Sequence, residues 1–114
     1  MHEIGIMESA VATVLDQARL RDAQQVHRIV LRIGRLAGVE PDALRFAFEV
    51  VAAGTLVAGA ELEIETVPAR ARCASCDLEF TAESGFVFIC PLCLGICGAL
   101  AQGREIELAR IELT

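Results

Sequence analysis

The chain is 114 residues long, 54% hydrophobic and 4% aromatic, with a formal net charge of −6 at pH 7. That hydrophobic content excludes a disordered chain, the length allows one compact domain or a domain with a small metal-held module, and no apolar run reaches the ~18 residues that a membrane span needs. Every basic residue is arginine and none sits in a basic run or tail, so nucleic acid is a poor match, because binding its backbone rests on neutralising phosphates. Acidic surface suits cations and basic protein partners instead.

The chain opens Met1-His2-Glu3, without the basic region and apolar block of a signal peptide, and a cytoplasmic location is expected. Met7, Ala10, Val11, Val14, Leu15 and Ala18 then recur at helical spacing, which predicts a first helix from Ile4 to Arg21. His27 to Ile33 alternates, with Ile29, Leu31 and Ile33 on one face and Arg28, Val30 and Arg32 on the other, as in a half-buried strand. Pro41 suits the first turn of a second helix, Leu44, Ala47, Phe48 and Val51 form its buried stripe, and Gly54 offers a stop. A second strand is predicted over Ala60–Val67, with Leu62 and Ile64 inward. Glu61, Glu63 and Glu65 then lie on the other face, where they can pair with Arg28 and Arg32.

Pro68 ends that strand and introduces a segment with two knuckles, Cys73-Ala-Ser-Cys76 and Cys90-Pro-Leu-Cys93. Two cysteines separated by two residues fit one tight turn, so each pair presents both sulfurs to a single ion, and two such turns complete the tetrahedral four-thiolate site that Zn²⁺ favours in a structural role. The intervening Asp77–Ile89 is 13 residues, slightly short of the usual ~15–20, and is enough for a hairpin of Leu78–Thr81 with Phe86–Ile89 through Glu83-Ser84-Gly85. Phe80, Phe86 and Phe88 give this module apolar groups to pack beside the metal. Cys97 is unpaired in the pattern and reads as a small buried thiol. After Gly103 a return strand is predicted over Glu105–Leu113, its alternation changing phase near Ala109 as at a twist or bulge. The order argues for an α+β fold: two helices on a small mixed sheet, with a zinc-ribbon-like four-cysteine module inserted before the last strand. The expected domains are residues 1–67 with 103–114, and an inserted zinc-binding domain, residues 68–102.

His2 acquires a second metal chemistry from its position. The Met1 amine, the His2 backbone nitrogen and the His2 imidazole can close adjacent chelate rings on one ion, and Glu3 can add its carboxylate or its backbone nitrogen. Planar or tetragonal nitrogen and oxygen donors suit Ni²⁺ or Cu²⁺ and not Zn²⁺. His2 is a large second residue, so the initiator Met1 is expected to be retained. His27, the only other histidine, starts a strand and reads as structural.

Met1-His2-Glu3 opening an amphipathic helix, Phe46-Ala-Phe48-Glu49, and Cys73-x-x-Cys76 followed by Cys90-Pro91-x-Cys93 together resemble the HypA/HybF family of nickel-insertion accessory proteins for hydrogenases. The resemblance runs along essentially the whole chain. It implies a nickel-binding domain of two helices on a mixed sheet, a separate zinc domain, Ni²⁺ as transported cargo at Met1, His2 and Glu3, and structural Zn²⁺ at Cys73, Cys76, Cys90 and Cys93. It further implies delivery of nickel into the large subunit of [NiFe]-hydrogenase, together with a nickel-accessory GTPase of the HypB type, by a monomer or weak homodimer without catalytic turnover. Two other readings compete: a zinc-ribbon adaptor for protein partners with no nickel function, and a thiol oxidoreductase. The second needs an exposed low-pKa thiol, whereas two matched knuckles favour metal-bound thiolates.

Overall fold

The computed structural model describes residues 3–82 and 87–114. Among these run α1 (Glu3–Leu20), β1 (Val26–Gly34), α2 (Pro41–Ala52), β2 (Glu61–Val67), β3 (Arg70–Cys73), β4 (Leu78–Thr81), β5 (Phe88–Ile89), β6 (Ile96–Cys97), β7 (Ala99–Gln102) and β8 (Ile106–Leu113). They divide into two compact units. One takes the stretch from α1 to Arg32, Val39–Glu65 and Glu107–Thr114; the other takes Ile33–Gly38 and Thr66–Ile106.

In the first unit α1 buries Met7, Val11, Val14 and Ala18, the residues whose three- and four-residue spacing puts them on one side of a helix. It stops after Leu20, where Asp22 turns to a φ of 54° and the Ala23 N–H closes onto the Ala18 carbonyl at 2.9 Å. Pro41 opens α2, whose fixed φ and missing N–H suit a first turn, and Glu40 caps it by accepting from the Asp42 N–H at 3.3 Å. Gly54, at φ +75°, follows the last turn. The two helices pack on one another, and Leu44, Ala47, Phe48 and Ala52 of α2 join Ile29, Leu31 and Val57 in the core.

The sheet order is β2-β1-β8, so β1 is central. β2 runs parallel to it: Arg28 pairs with Glu61 and Glu63, Arg32 with Glu65, and the Arg35 N–H reaches the Val67 carbonyl at 2.8 Å. β8 runs antiparallel, tied at one end by reciprocal bonds between Gln25 and Thr114 and at the other by Gly34 N–H to Glu105 O at 2.7 Å. The sheet is therefore mixed, and α2 is the crossover that a parallel β1–β2 pair requires. Glu107 and Glu112 are an odd number of residues apart, yet they reach Arg32 and Arg28 respectively at 3.6 and 3.9 Å. This is the change of phase expected near Ala109. These pairs are half-exposed and contribute about 0.2–1 kcal/mol each.

Val30 departs from expectation. It alternates with Arg28 and Arg32 on the polar face, yet it is fully buried. On a central strand the long arginine stems, held by carboxylates on both neighbouring strands, cover the small side chain between them.

The second unit holds a three-stranded sheet ordered β4-β3-β7 and a two-stranded ribbon of β5 with β6. β3 pairs antiparallel with β4 (Ala71 opposite Phe80, Cys73 opposite Leu78) and with β7 (Ala71 opposite Leu100). Among the described residues, Leu78–Thr81 does not pair with Phe88–Ile89 as the expected hairpin would require. β4 takes β3 as its partner, while β5 takes β6, with Phe88 opposite Cys97 and Ile89 opposite Ile96. Each cysteine knuckle reverses the chain, so each makes a hairpin of its own two flanks. Glu83, Ser84, Gly85 and Phe86 lie outside the described residues, as do Met1 and His2. The core is Ala69, Ala71, Cys73, Ala82, Phe88, Cys90 and Cys97, with Leu36, Leu78, Phe80 and Leu100 packed against it.

Candidate metal centre

Cys73 ends β3 and Cys76 lies in the turn to β4; Cys90 follows β5 and Cys93 lies in the turn to β6. The two turns share a backbone design. The residue after the second cysteine of each, Asp77 or Leu94, has a left-handed φ, 53° and 61° respectively. That kink lets a four-residue turn aim both sulfurs inward. Glycine would take this conformation freely. Asp77 tolerates it and is held by an ion pair to Arg72, whereas the aliphatic Leu94 bears a strain of about 1–2 kcal/mol.

Backbone amides then point at the sulfurs. Cys90 Sγ accepts from the Leu92 and Cys93 N–H groups at 3.4 and 3.5 Å, and Cys93 Sγ accepts from the Gly95 N–H at 3.4 Å. Such donors stabilise thiolate over thiol. The Cys76 backbone N–H, more than any other influence, pulls the Cys73 thiol down to about 6. Cys76 goes the other way, to about 12, chiefly through hydrogen bonding with the Cys93 sulfur and then by burial. One sulfur of the group thus ionises readily while its neighbour resists a second negative charge. Only a cation among them makes four thiolates compatible.

The geometry fits that cation. The four sulfurs of Cys73, Cys76, Cys90 and Cys93 all lie within 4.8 Å of one another. The Cys73–Cys93 separation is 3.7 Å, close to the ~3.8 Å edge of a tetrahedron built on Zn–S bonds of ~2.3 Å. All four donors are soft and none is oxygen, which favours zinc over nickel. Cys97 is buried and lies opposite Phe88; its thiol is pushed up mainly by burial and stands outside the four-sulfur group.

Of the N-terminal candidates, Met1 and His2 lie outside the described residues and Glu3 is the first residue of α1. Its Oε2 accepts a hydrogen bond from the Glu40 N–H at 3.2 Å. The start of α1 is thereby tied to the start of α2, where free amides and the helix dipole favour a carboxylate. Sequence reasoning noticed Pro41 and overlooked Glu40 before it; an acceptor directly preceding a first-turn proline is the available signal for a cap. The left-handed Asp77 and Leu94 carried no comparable signal, since neither is glycine. His27 bonds Thr114 Oγ1 at 2.9 Å, a structural tie between β1 and the end of β8.

The family model described as "Hydrogenase/urease nickel incorporation, metallochaperone, hypA" matches residues 1–113. The chain belongs to the HypA family. It is 43% identical to the hydrogenase maturation factor HypA of Picosynechococcus sp. over 113 residues, covering 99% of each chain. It is 44% identical to that of Chloroflexus aurantiacus over 112 residues, covering 98% of each. The solution structure of the Ni metallochaperone HypA from Helicobacter pylori superposes with a TM-score of 0.69 at 25% identity, covering 99% of this chain and 97% of that one. The full-length match decides among the competing readings. The chain is a nickel metallochaperone of the HypA family, of α+β fold, with a four-cysteine group that fits a structural zinc ion. No helix among its described residues is long and apolar enough to cross a membrane.

Proposed function

We propose that this HypA-family chain binds Ni²⁺ at its first three residues and passes it to the large subunit of a [NiFe]-hydrogenase, working in the cytoplasm with a nickel-accessory GTPase and without catalytic turnover. The Met1 amine, the His2 backbone nitrogen and the His2 imidazole are the nickel donors. Cys73, Cys76, Cys90 and Cys93 are the zinc ligands, and a zinc ion bound there supplies a cross-link between the two knuckles and no open position for chemistry. The nickel-binding domain corresponds to residues 1–67 with 103–114, and the zinc-binding domain to residues 68–102.

The observation that carries the nickel reading is the bond from the Glu40 N–H to the Glu3 carboxylate. It anchors the residue next to His2 on a rigid helix start, and it occupies the Glu3 side chain. The Glu3 backbone nitrogen is then the better fourth donor, completing an all-nitrogen set of the kind that suits Ni²⁺. Nickel titrations of the untagged protein, of a variant with one residue added before Met1, and of His2→Ala, all matched for zinc content, test this. The extension turns the amine into an amide and removes no side chain. It is expected to weaken nickel binding at least ten-fold, as is His2→Ala, with zinc retained. Equal affinity of the extended and untagged proteins overturns the site.

A further inference from the structure

We infer that the free edge of β8 is a self-pairing surface, and that its occupant is β8 of a second copy of this chain, joined antiparallel about a two-fold axis through Ile111.

β8 ends the sheet order β2-β1-β8, so one of its edges has no strand beside it among the described residues. It is eight residues long, and a long open edge ordinarily invites pairing with another chain. Which backbone groups face outward follows from its bonds to β1. Thr114 exchanges both bonds with Gln25, each at 3.0 Å, so its N–H and C=O point at β1. Alternation then turns those of Leu113 outward, those of Glu112 toward β1 and those of Ile111 outward. Arg110 Nε bonds the Glu112 carboxylate at 3.1 Å, which places both side chains on one face and keeps the strand regular between them. Ile111 therefore presents its N–H and C=O at the open edge between two opposite charges.

Charge chooses the occupant. In an antiparallel pair with two-fold symmetry, the residue on the axis meets its own copy. With Ile111 there, the two Ile111 residues exchange a reciprocal pair of hydrogen bonds, Arg110 stands opposite Glu112 of the second copy, and Glu112 opposite its Arg110. Both charged side chains are half-exposed and free to meet a neighbour. Moving the axis by one residue sets Arg110 or Glu112 against itself, which like-charge repulsion opposes. It also puts on the axis a residue whose backbone groups already face β1. An edge of one sign would repel its copy, whereas this one is complementary to itself.

The axis stands perpendicular to the sheet, so the α1 helices of both copies lie on the same side of it. A groove of about 700 Å³ runs between Thr13, Gln17 and Arg21 of α1 and the stretch of β8 from Leu108 onward. The half-buried Ile111 borders it, and Ile111 of the second copy has room to enter. The change of phase near Ala109 limits regular pairing to a few residues about Ile111, so the interface falls below the ~1,200 Å² of a stable complex. The dimer is accordingly weak and forms with rising concentration.

Sedimentation velocity of the full chain, zinc-bound and without nickel, from micromolar to millimolar concentration is the test. The parent is expected to pass reversibly from monomer to dimer. Arg110→Glu and Glu112→Arg, each alone, are expected to weaken dimerisation by about ten-fold or more, because each sets two like-charged pairs across the axis. An equimolar mixture of the two variants restores it, since every pair across the axis is again of opposite sign. Ile111→Pro removes the outward N–H at a position where an edge strand tolerates proline, and abolishes the dimer. Far-UV circular dichroism and zinc content matching the parent identify the folded variants, and the charge reversals carry the test if Ile111→Pro does not fold. A parent that stays monomeric at millimolar concentration overturns the inference, as does a dimer indifferent to both charge reversals. Two weakened variants whose mixture stays weak overturn it as well.

Discussion

Replacing Gly34 with alanine tests whether the second unit is closed by a direct contact of two backbones. A Cβ built on Gly34 overlaps the Gly103 carbonyl and stands 2.5 Å from the Arg104 nitrogen, all of it backbone that no rotamer can move. Ordinary contact begins near 3.4 Å, so the two segments must part by roughly 1 Å or more. The bonds from Gly34 N–H to Glu105 O and from Leu36 N–H to Gly103 O, both 2.7 Å, span the same crossing. Losing them costs about 1 kcal/mol each, and forcing methyl-sized bulk into packed structure adds about 1–3 kcal/mol. Gly34→Ala is thus expected to destabilise by about 3–5 kcal/mol, a large part of the ~5–15 kcal/mol available to a small domain. Urea unfolding followed by far-UV circular dichroism is the assay, since the chain has neither tryptophan nor tyrosine for fluorescence. Gly98→Ala is the control, because its added methyl meets nothing within 4 Å. A loss below about 1 kcal/mol for Gly34→Ala, or equal losses for the two variants, refutes the close crossing.

Cys90→Ala removes a fully buried ligand that also accepts two backbone N–H groups. It is expected to abolish stoichiometric zinc binding and the order of Cys73–Cys93 while helical dichroism from the first unit persists; metal analysis beside amide exchange checks this, and an ordered module without zinc counts against it. Leu94→Gly relieves a left-handed residue at the price of extra chain entropy, for a net gain near ~0.5 kcal/mol, read as a higher midpoint of thermal unfolding with zinc bound and contradicted by a lower one. Nickel affinity is expected to fall by at least about 100-fold between pH 8 and pH 6, since a terminal amine of reference pKa ~7.7–8.0 and an imidazole of ~6.5 must both lose protons to bind, and each ligating backbone nitrogen gives up its amide proton as well and steepens the fall. Calorimetry in buffers of different ionisation enthalpy shows the released protons, and a flat pH profile argues for other donors.

The long elements were legible because their patterns are long. α1 repeats its apolar spacing over four turns, β1 alternates across seven residues, and a proline and a glycine bracket α2. The glutamates of β2 announced the ion pairs with Arg28 and Arg32, because a strand with one charged face invites a complementary neighbour. β3, β6 and β7 were not legible. They are two to four residues long, too short for any period, and they exist because the knuckles fold the chain back on itself. The same cause misled the pairing of β4 with β5. Phenylalanine-rich segments joined by a serine-glycine turn read as a hairpin, but the sharper reversals at Cys73–Cys76 and Cys90–Cys93 claimed the strands first. The zinc ligands could be read from spacing alone. The left-handed residues that aim them could not, since leucine at a positive φ contradicts its own preference.

The four-cysteine group and the proposed N-terminal nickel site differ in donor chemistry and in access. Four soft sulfurs within 4.8 Å of one another, furnished with amide donors, fit zinc where the surrounding core is mostly alanine and cysteine. That core is too poor in large side chains to close without a cross-link. An ion placed there is part of the fold and cannot be handed on without unfolding it. A chelate of the first three residues has the opposite properties. Its proposed nitrogen donors rank nickel and copper above zinc, and Glu3 is anchored, through Glu40, to a rigid helix start. Removing the ion from such a site breaks no core contact. An ion held at the proposed N-terminal site could be withdrawn by a partner while the protein stays folded, which is what a carrier requires and what a closed four-sulfur site would prevent.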